Sequence, residues 1–233
     1  APTHPAFRVP VGAASVGAAI DPGRPQLVSS DWASGAVTRT DLVTGLSDRR
    51  ILLETAPRTY DFSADGAALL VVGDEYGPDY SSPRVVSTID RVSGTKVEAI
   101  RLPVAPYPVA AASARLMFGV PQTPNGRRLQ AYDPATGELV AETADLPPGV
   151  IDGLAATPAG DRLYLQGETE ILRYDLTAER TLVLSAARAR PLLDWGTGLW
   201  LAPDASLLLA DPGDLFRLSD DPGRDLELVG SLD

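Results

Sequence analysis

One short motif returns along the whole chain at a nearly constant spacing. An aspartate directly precedes a turn in TDLVTG, IDRVSG, YDPATG and YDLTAE, at Asp41, Asp90, Asp133 and Asp175. The intervals are 49, 43 and 42 residues, and FRLSDDPG puts Leu218 at the equivalent place 43 residues further on. A period of roughly 40–50 residues built from short strands is typical of β-propeller blades. Because one blade leaves both of its faces uncovered, it needs a packed neighbour on each side.

Each repeat contains four segments with the composition of short β-strands, separated by turn residues. The second repeat shows the pattern most fully, with RTYDFS, ALLVVG, RVVSTID and KVEAIRL as its four strands. Gly66, Gly94, Gly137 and Gly160 stand where tight turns need a positive φ angle. The segment Leu176–Arg190 is rich in helix-forming residues, but the period requires a strand, and a strand is predicted there. The fold class is therefore predicted to be all-β, with four-stranded antiparallel blades.

The number of repeats predicts a β-propeller of five blades. The N-terminal segment, residues 1–12, contains AFRVPV at residues 6–11, which we predict to be a strand that closes the ring or extends the last blade. The alternative is that the chain forms part of a six- to eight-bladed ring. The blades are predicted to span approximately residues 13–56, 57–105, 106–147, 148–188 and 189–233.

Composition and charge exclude several classes of function. The chain has 20 Lys and Arg residues against 31 Asp and Glu, a net charge of −11, which opposes binding to nucleic acid or to an anionic membrane surface. It has no cysteine, so disulfides and thiolate metal sites are excluded. No apolar run reaches the roughly 18 residues of a membrane-spanning helix, and we predict no membrane insertion. The opening APTHPAF fits a mature end left by signal cleavage, so we expect an extracytoplasmic protein.

Two stretches of the chain resemble the YVTN-type β-propeller repeats. VVSTIDRVSGTKVEAIRLPVAPYP and LQAYDPATGELVAET follow, at low stringency, the family pattern V-x-x-I-D-x-x-T-G-K-V-V-x-x-I-x-V-G-x-x-P. The SPDG-type turn of that family is present as SADG, residues 63–66, whereas its Tyr-Val-Thr-Asn strand is absent. The resemblance implies a propeller fold. Because the group includes surface proteins, binding proteins and a minority of lactone-cleaving enzymes, the resemblance leaves the function open.

The resemblance also implies that two sets of loops share one face around the central channel. These are the loops between the second and third strands of each blade and the connections between blades. Aromatic rings beside carboxylates are typical of contacts with proteins or sugars. A ligand- or partner-binding site is predicted at residues in or beside these loops, namely Asp31, Trp32, Tyr76, Tyr80, Tyr107, Asp194 and Trp195. The alternative is that Trp32 and Trp195 fill space between blades, whereas Trp200, in the apolar segment LWLAP, is predicted to be a core residue.

The longest of the loops between second and third strands, residues 73–83, is acidic. Asp74, Glu75 and Asp79 supply oxygen atoms of the kind that calcium prefers, so they are predicted as a calcium site, although no EF-hand spacing is present. No other cofactor is expected. The alternative is a solvated loop without a role.

The sequence predicts a non-enzymatic binding module that recognises a protein or a carbohydrate. The only histidine, His4, stands near the first residue, so neither a Ser-His-Asp triad nor a histidine-based metal site is supported, and no catalytic residue is predicted. The alternative is a lactonase-like or glycan-active enzyme. It would work with carboxylates, and in some cases a divalent cation, at the mouth of the channel.

Overall fold

The computed structural model of the chain describes 12 stretches of it, nearly all of them antiparallel β-sheet. They are residues 15–21, 23–31, 33–63, 66–74, 84–102, 106–123, 126–146, 153–167, 169–189, 198–202, 204–211 and 213–231. Across these stretches there is no helix with the length and hydrophobicity that crossing a lipid bilayer requires. The predicted N-terminal strand at residues 6–11 lies outside them.

The described residues form twenty strands in five separate sheets, and in each sheet four consecutive strands pair in order. Blade 1 contains β1 (Ser15–Ile20), β2 (Gln26–Asp31), β3 (Ala36–Asp41) and β4 (Ser47–Leu52). Blade 2 contains β5 (Ala56–Phe62), β6 (Ala68–Asp74), β7 (Arg84–Asp90) and β8 (Lys96–Leu102). Blade 3 contains β9 (Pro106–Ser113), β10 (Leu116–Thr123), β11 (Gly126–Tyr132) and β12 (Leu139–Asp145). Blade 4 contains β13 (Gly153–Ala156), β14 (Arg162–Gln166), β15 (Glu170–Leu176) and β16 (Leu182–Ala189). Blade 5 contains β17 (Leu199–Leu201), β18 (Leu207–Ala210), β19 (Asp214–Arg217) and β20 (Glu227–Ser231).

The five sheets follow one another around a common centre. Their first strands contact each other in the order β1, β5, β9, β13 and β17, so the first strand of each blade is its innermost strand. The prediction of a five-bladed β-propeller is confirmed. The strand predicted within Leu176–Arg190 is also confirmed, as β16, because pairing with β15 overrides the helical propensity of that segment.

The repeated aspartate works by organising the turn between the third and fourth strands. In blade 1 the Asp41 carboxylate accepts hydrogen bonds from the backbone N–H groups of Val43 and Thr44, at 2.8 and 2.7 Å. The Gly45 N–H then bonds to the Asp41 carbonyl, with Gly45 at a φ of 73°. Asp90 forms the same turn in blade 2. The bonds to its carboxylate lower the pKa of Asp41, and the backbone hydrogen bond from Thr44 has the largest effect.

The fifth repeat departs from the register that the sequence suggests. The backbone N–H of Leu218 bonds to the turn that precedes β18, as that of Leu176 bonds to the turn before β14. Arg217, and not Leu218, therefore occupies in blade 5 the position that Asp175 has in blade 4. The turn that follows, residues 218–226, is longer than those of the other repeats. For this reason the sequence repeat placed Leu218 one residue away from the structurally equivalent position.

Neighbouring blades pack face to face through alternate residues of each strand, which explains the consecutive apolar residues of the second strands. On blade 2, one set of buried residues packs against blade 1, namely Leu69, Val71 and Ile89. The intervening set packs against blade 3, namely Leu70, Val72 and Val86. The same alternation joins blade 3 to blade 4 and blade 4 to blade 5.

A buried polar cluster ties blade 4 to blade 5. The Asp225 carboxylate is fully buried and accepts hydrogen bonds from the Tyr164 hydroxyl and the Arg173 guanidinium, both at 2.9 Å. Its other oxygen accepts the backbone N–H groups of Ser219 and Leu226. Burial, with the nearby Asp225 charge, raises the pKa of Tyr164, so its hydroxyl stays protonated and donates. Every oxygen of this buried carboxylate is thus satisfied.

We expect Asp225→Ala to lower the free energy of unfolding by roughly 3 kcal/mol or more, because the buried Arg173 charge loses a carboxylate partner. Urea denaturation measures the loss. The matched control is Glu227→Ala, which removes the exposed Arg217–Glu227 pair of the same blade and is expected to cost less than about 1 kcal/mol. Equal losses in the two variants would contradict a special role for the buried cluster.

Candidate binding face

The order of the strands sends two kinds of connection to the same end of every blade. Because consecutive strands are antiparallel, the connections between blades and those between second and third strands lie at one end, which we call the loop end. The remaining tight turns lie at the opposite end, the turn end. The loops predicted to carry the binding residues therefore belong to one end of the propeller.

The loop end carries an excess of negative charge. Its connections and the strand residues that flank them contain two arginines, Arg84 and Arg190, and no lysine. The same segments contain twelve acidic residues, namely Asp31, Glu54, Asp74, Glu75, Asp79, Asp145, Asp152, Glu168, Glu170, Asp194, Asp211 and Asp214. At the turn end, some acidic residues have arginine partners, as in the Arg91–Asp21 pair at 2.8 Å, whereas at the loop end Glu54 pairs with Lys96. A cationic partner is therefore attracted most strongly to the loop end.

The described residues include only part of the predicted site. Asp31 is the last residue of β2, Asp74 is the last residue of β6, and Tyr107 lies in β9. For Asp74 and Tyr107 the structure describes the backbone only. The other predicted residues lie outside the described residues, namely Trp32, Glu75, Tyr76, Asp79, Tyr80, Asp194 and Trp195. The calcium site stays a prediction. Elsewhere in the described stretches, no three His, Asp or Glu side chains converge to hold a metal ion.

Asp31 is held in place by the turn that it begins. Its carboxylate accepts the backbone N–H groups of Ala33 and Ser34, at 3.0 and 3.3 Å. The interaction with Ser34 is the main cause that lowers the pKa of Asp31, so this carboxylate is ionised at neutral pH. Strand alternation puts Asp31 on the face of blade 1 opposite to Val28, and Val28 packs on blade 2. Asp31 therefore points to the side of blade 1 that faces away from blade 2.

The prediction that Trp200 is a core residue is wrong. Its neighbours in β17, Leu199 and Leu201, pack on blade 4, so Trp200 projects from the opposite face of blade 5. Trp200 is 55% exposed. Its ring lies against the backbone of Gly198, because a Cβ atom at Gly198 would be only 2.1 Å from the ring carbon Cη2. Glycine at this position thus lets the indole lie along the strand towards the loop end.

Trp200 lies on the face of blade 5 that corresponds, in each of the other blades, to the face packed against the next blade. Trp200 pairs across the sheet with Leu209, and Leu209 pairs with Leu215. Leu209 and Leu215 are both partly exposed. The residues by which the other blades face their next neighbour are buried, for example Val28, Leu70, Phe118 and Tyr164. We call Trp200, Leu209 and Leu215 the Trp200 face.

Between the first and last blades, the described first strands pack less closely than those of the other neighbouring blades. Among the described residues, no strand packing comparable to that between the other neighbours joins β1 to β17. The face of blade 1 that points away from blade 2 mixes the apolar residues Leu27, Ala36 and Leu52 with Ser29, Thr40 and, at its loop end, Asp31. The described strands of blade 1 therefore leave Trp200 more than half exposed.

Asp61 is an acidic residue of the inner strands that sequence reasoning missed. It lies on β5, pairs with the buried Leu70, and accepts the backbone N–H of Ala111 on β9 at 2.9 Å. The carboxyl group thus bridges blades 2 and 3. Although the residue as a whole is partly exposed, burial of its carboxyl group raises the pKa of Asp61 to about 7. The segment RTYDFS does not reveal this role of Asp61. The alternation of apolar and polar residues does not show which polar side chain contacts the next blade.

We expect Asp61→Asn to be more stable than the natural protein above pH 7, by ~1–3 kcal/mol. Between pH 4 and 7 the unfolded chain releases the Asp61 proton and the folded chain keeps it, so rising pH favours unfolding. Asparagine does not titrate and still accepts the Ala111 N–H, so its advantage grows across this window and then stays constant. Urea denaturation from pH 4 to pH 8 measures it.

Asp41→Asn is the matched control for this pH profile. Because the pKa of Asp41 is lowered on folding, its carboxylate stabilises the fold above about pH 4, and Asp41→Asn is expected to lose stability there. A difference between Asp61→Asn and the natural protein that does not change with pH would show that the Asp61 carboxyl group has an ordinary pKa.

Comparison with known proteins supports the fold. No family model matches the chain, and no curated protein sequence is significantly similar to it. The β-propeller domain of Cps50 (Swd1) from Myceliophteria thermophila is 15% identical with a TM-score of 0.71, over 96% of this chain and 73% of that domain. Kuenenia stuttgartiensis hydrazine synthase is 18% identical with a TM-score of 0.67, over 88% of this chain and 72% of that chain. The WD40 domain of Toxoplasma gondii coronin is 13% identical with a TM-score of 0.56, over 76% of this chain and 46% of that domain.

These similarities concern the fold alone. At 13–18% identity the three proteins share the propeller architecture with this chain. Propellers carry many unrelated functions, so the function has to be argued from the site. The specific YVTN repeat type stays a prediction.

Proposed function

We propose that this protein is a non-enzymatic binding module that recognises a protein partner through its loop end. The exposed Trp200 carries this proposal, because a large aromatic ring on a rigid inner strand is the kind of residue that anchors protein interfaces. It lies on the innermost strand of blade 5, and its ring is directed along that strand to the loop end. Trp32, Tyr76, Tyr80 and Trp195 are further aromatic residues that the sequence predicts for the same binding face.

The charge of the loop end supports a protein ligand over an uncharged one. Acidic residues far outnumber basic residues there, and such a field increases the rate of encounter with a basic surface. A neutral carbohydrate gains nothing from this field. Protein is therefore the ligand class that we favour. A carbohydrate is the alternative, and an experiment has to distinguish the two.

An enzyme of the lactonase-like or glycan-active kind is the second candidate, and Asp61 is the observation that favours it. A carboxyl group with a pKa near 7 suits a general acid or base. Hydrolysis of a glycan needs a second carboxylate close to the first. Burial raises the pKa of Asp61 against the opposing effect of two backbone hydrogen bonds, and no neighbouring carboxylate contributes. The binding module is therefore the better supported function.

Site-specific photo-crosslinking tests the proposal. A benzophenone amino acid at Ala33 or Thr169, both exposed at the loop end, is expected to crosslink a discrete protein in cells of the source organism. The matched control positions are Val43 and Val92, which are exposed at the turn end. These are expected to give no specific crosslink, because the proposed contact surface lies on the other side of the molecule.

Two results would contradict the proposal. Crosslinks of equal yield and identity from both ends would show that the loop end has no special role. Loop-end positions that capture no protein, combined with binding to a glycan array, would assign the face to a carbohydrate.

A further inference from the structure

The Trp200 face is an open sheet surface next to the acidic loop end. Its three residues form one row across blade 5, from β17 through β18 to β19. The face is apolar at its inner strands and ends in the exposed Arg217–Glu227 pair, in which the two charges already neutralise each other. The net negative charge in its neighbourhood therefore comes from the loop end.

Two observations place acidic groups beside this face. Asp31 projects from the side of blade 1 that faces away from blade 2, and Trp200 projects from the side of blade 5 that faces away from blade 4. In a ring that runs from blade 1 to blade 5, these two sides border the same gap. The connection that follows β18 carries Asp211. The exposed indole and these two carboxylates thus belong to the same end of the ring.

A second copy of this chain is a poor occupant for the Trp200 face. Each copy carries a net charge of −11, so two copies repel each other. The row consists of one exposed and two partly exposed side chains, whereas a stable dimer interface buries about 800 Å² on each partner. A single extended segment of a partner fits this narrow row better than a second globular surface.

We infer that the Trp200 face binds an arginine- or lysine-bearing segment of a partner protein, with the cationic group stacked on the Trp200 indole and Asp31 supplying negative charge across the gap. This inference rests on the proposed function and adds the chemistry of the partner. The exposed face of an indole is the best aromatic surface for a cation, and arginine is the better of the two cations because its flat guanidinium group stacks. The methylene groups of the same side chain cover Leu209.

Fluorescence anisotropy with a defined peptide tests this inference. The probe is a labelled nine-residue peptide of alternating arginine and glycine, and its counterpart has glutamate in place of arginine. The arginine peptide is expected to bind, to bind more weakly as salt is raised, and to bind at least tenfold more tightly than the glutamate peptide. We expect Trp200→Ala and Trp200→Arg to weaken binding tenfold or more, and Trp200→Phe to weaken it less.

Three further variants show whether the contact is specific. Asp31→Asn keeps a hydrogen-bond acceptor for Ala33 and Ser34 but removes the charge, and is expected to weaken binding about threefold. Gly198→Ala keeps the tryptophan and displaces its ring, so it is expected to weaken binding as well. Val92→Arg adds the same charge as Trp200→Arg at an exposed site of the turn end and is expected to leave binding nearly unchanged. Thermal melts establish that each variant is folded.

The outcomes separate this inference from the proposed function. Equal affinity for the arginine and glutamate peptides, or unchanged affinity in folded Trp200→Ala and Gly198→Ala, would overturn it. A dimer in sedimentation velocity that Trp200→Arg dissociates would also overturn it, because a second copy would then occupy the face. If crosslinking at Ala33 and Thr169 still captures a protein partner in these cases, the proposed function stands and only the chemistry assigned to the Trp200 face fails.

Discussion

Face-to-face packing between neighbouring blades is the interaction on which the rest of this structure depends. Each blade has only four short strands, and such a sheet cannot bury two apolar faces by itself. Blade 2 shows the solution, since Leu69 and Val71 pack on one neighbour while Leu70 and Val72 pack on the other. Stability is therefore shared between blades, and a polar group buried between two blades has to find its partner across that interface. The bonds from Tyr164 and Arg173 to Asp225 meet this requirement.

The same constraint explains why the candidate site lies on blade 5. A face that is built to be covered becomes an exposed apolar surface wherever the next apolar face is absent. Trp200, Leu209 and Leu215 are in this situation, because the described strands of blade 1 do not pack on them as the other neighbouring blades pack on each other. The fold thus leaves one aromatic anchor exposed on a rigid inner strand. A rigid anchor loses little conformational entropy on binding, which makes it more useful than an equal ring on a long loop.

Electrostatic attraction acts at the same end of the molecule as Trp200. The connections at the loop end carry most of the unbalanced acidic residues, whereas acidic residues at the turn end take part in hydrogen-bonded turns, as Asp41 does, or in ion pairs, as Asp21 does. Attraction of a basic segment and stacking on Trp200 therefore act at the same end of the molecule. The buried Asp61 serves a different purpose, because its bond to Ala111 joins two inner strands and its raised pKa follows from burial.

The sequence by itself determined the local structure: the spacing of Asp41, Asp90 and Asp133 encodes hydrogen-bonded turns, and these turns fix the strands, the blades and the number of blades. It also determined the charge of the loop end, because charge depends on composition and on the order of strands. Only the tertiary structure decided which face of each strand is covered. Trp200 in LWLAP and Val71 in ALLVVG have equally apolar surroundings in sequence, yet one is exposed and the other buried. Burial depends on the neighbouring blade, which is remote in sequence, and for the same reason the partnership of Arg173 with Asp225 was not predictable from either residue alone.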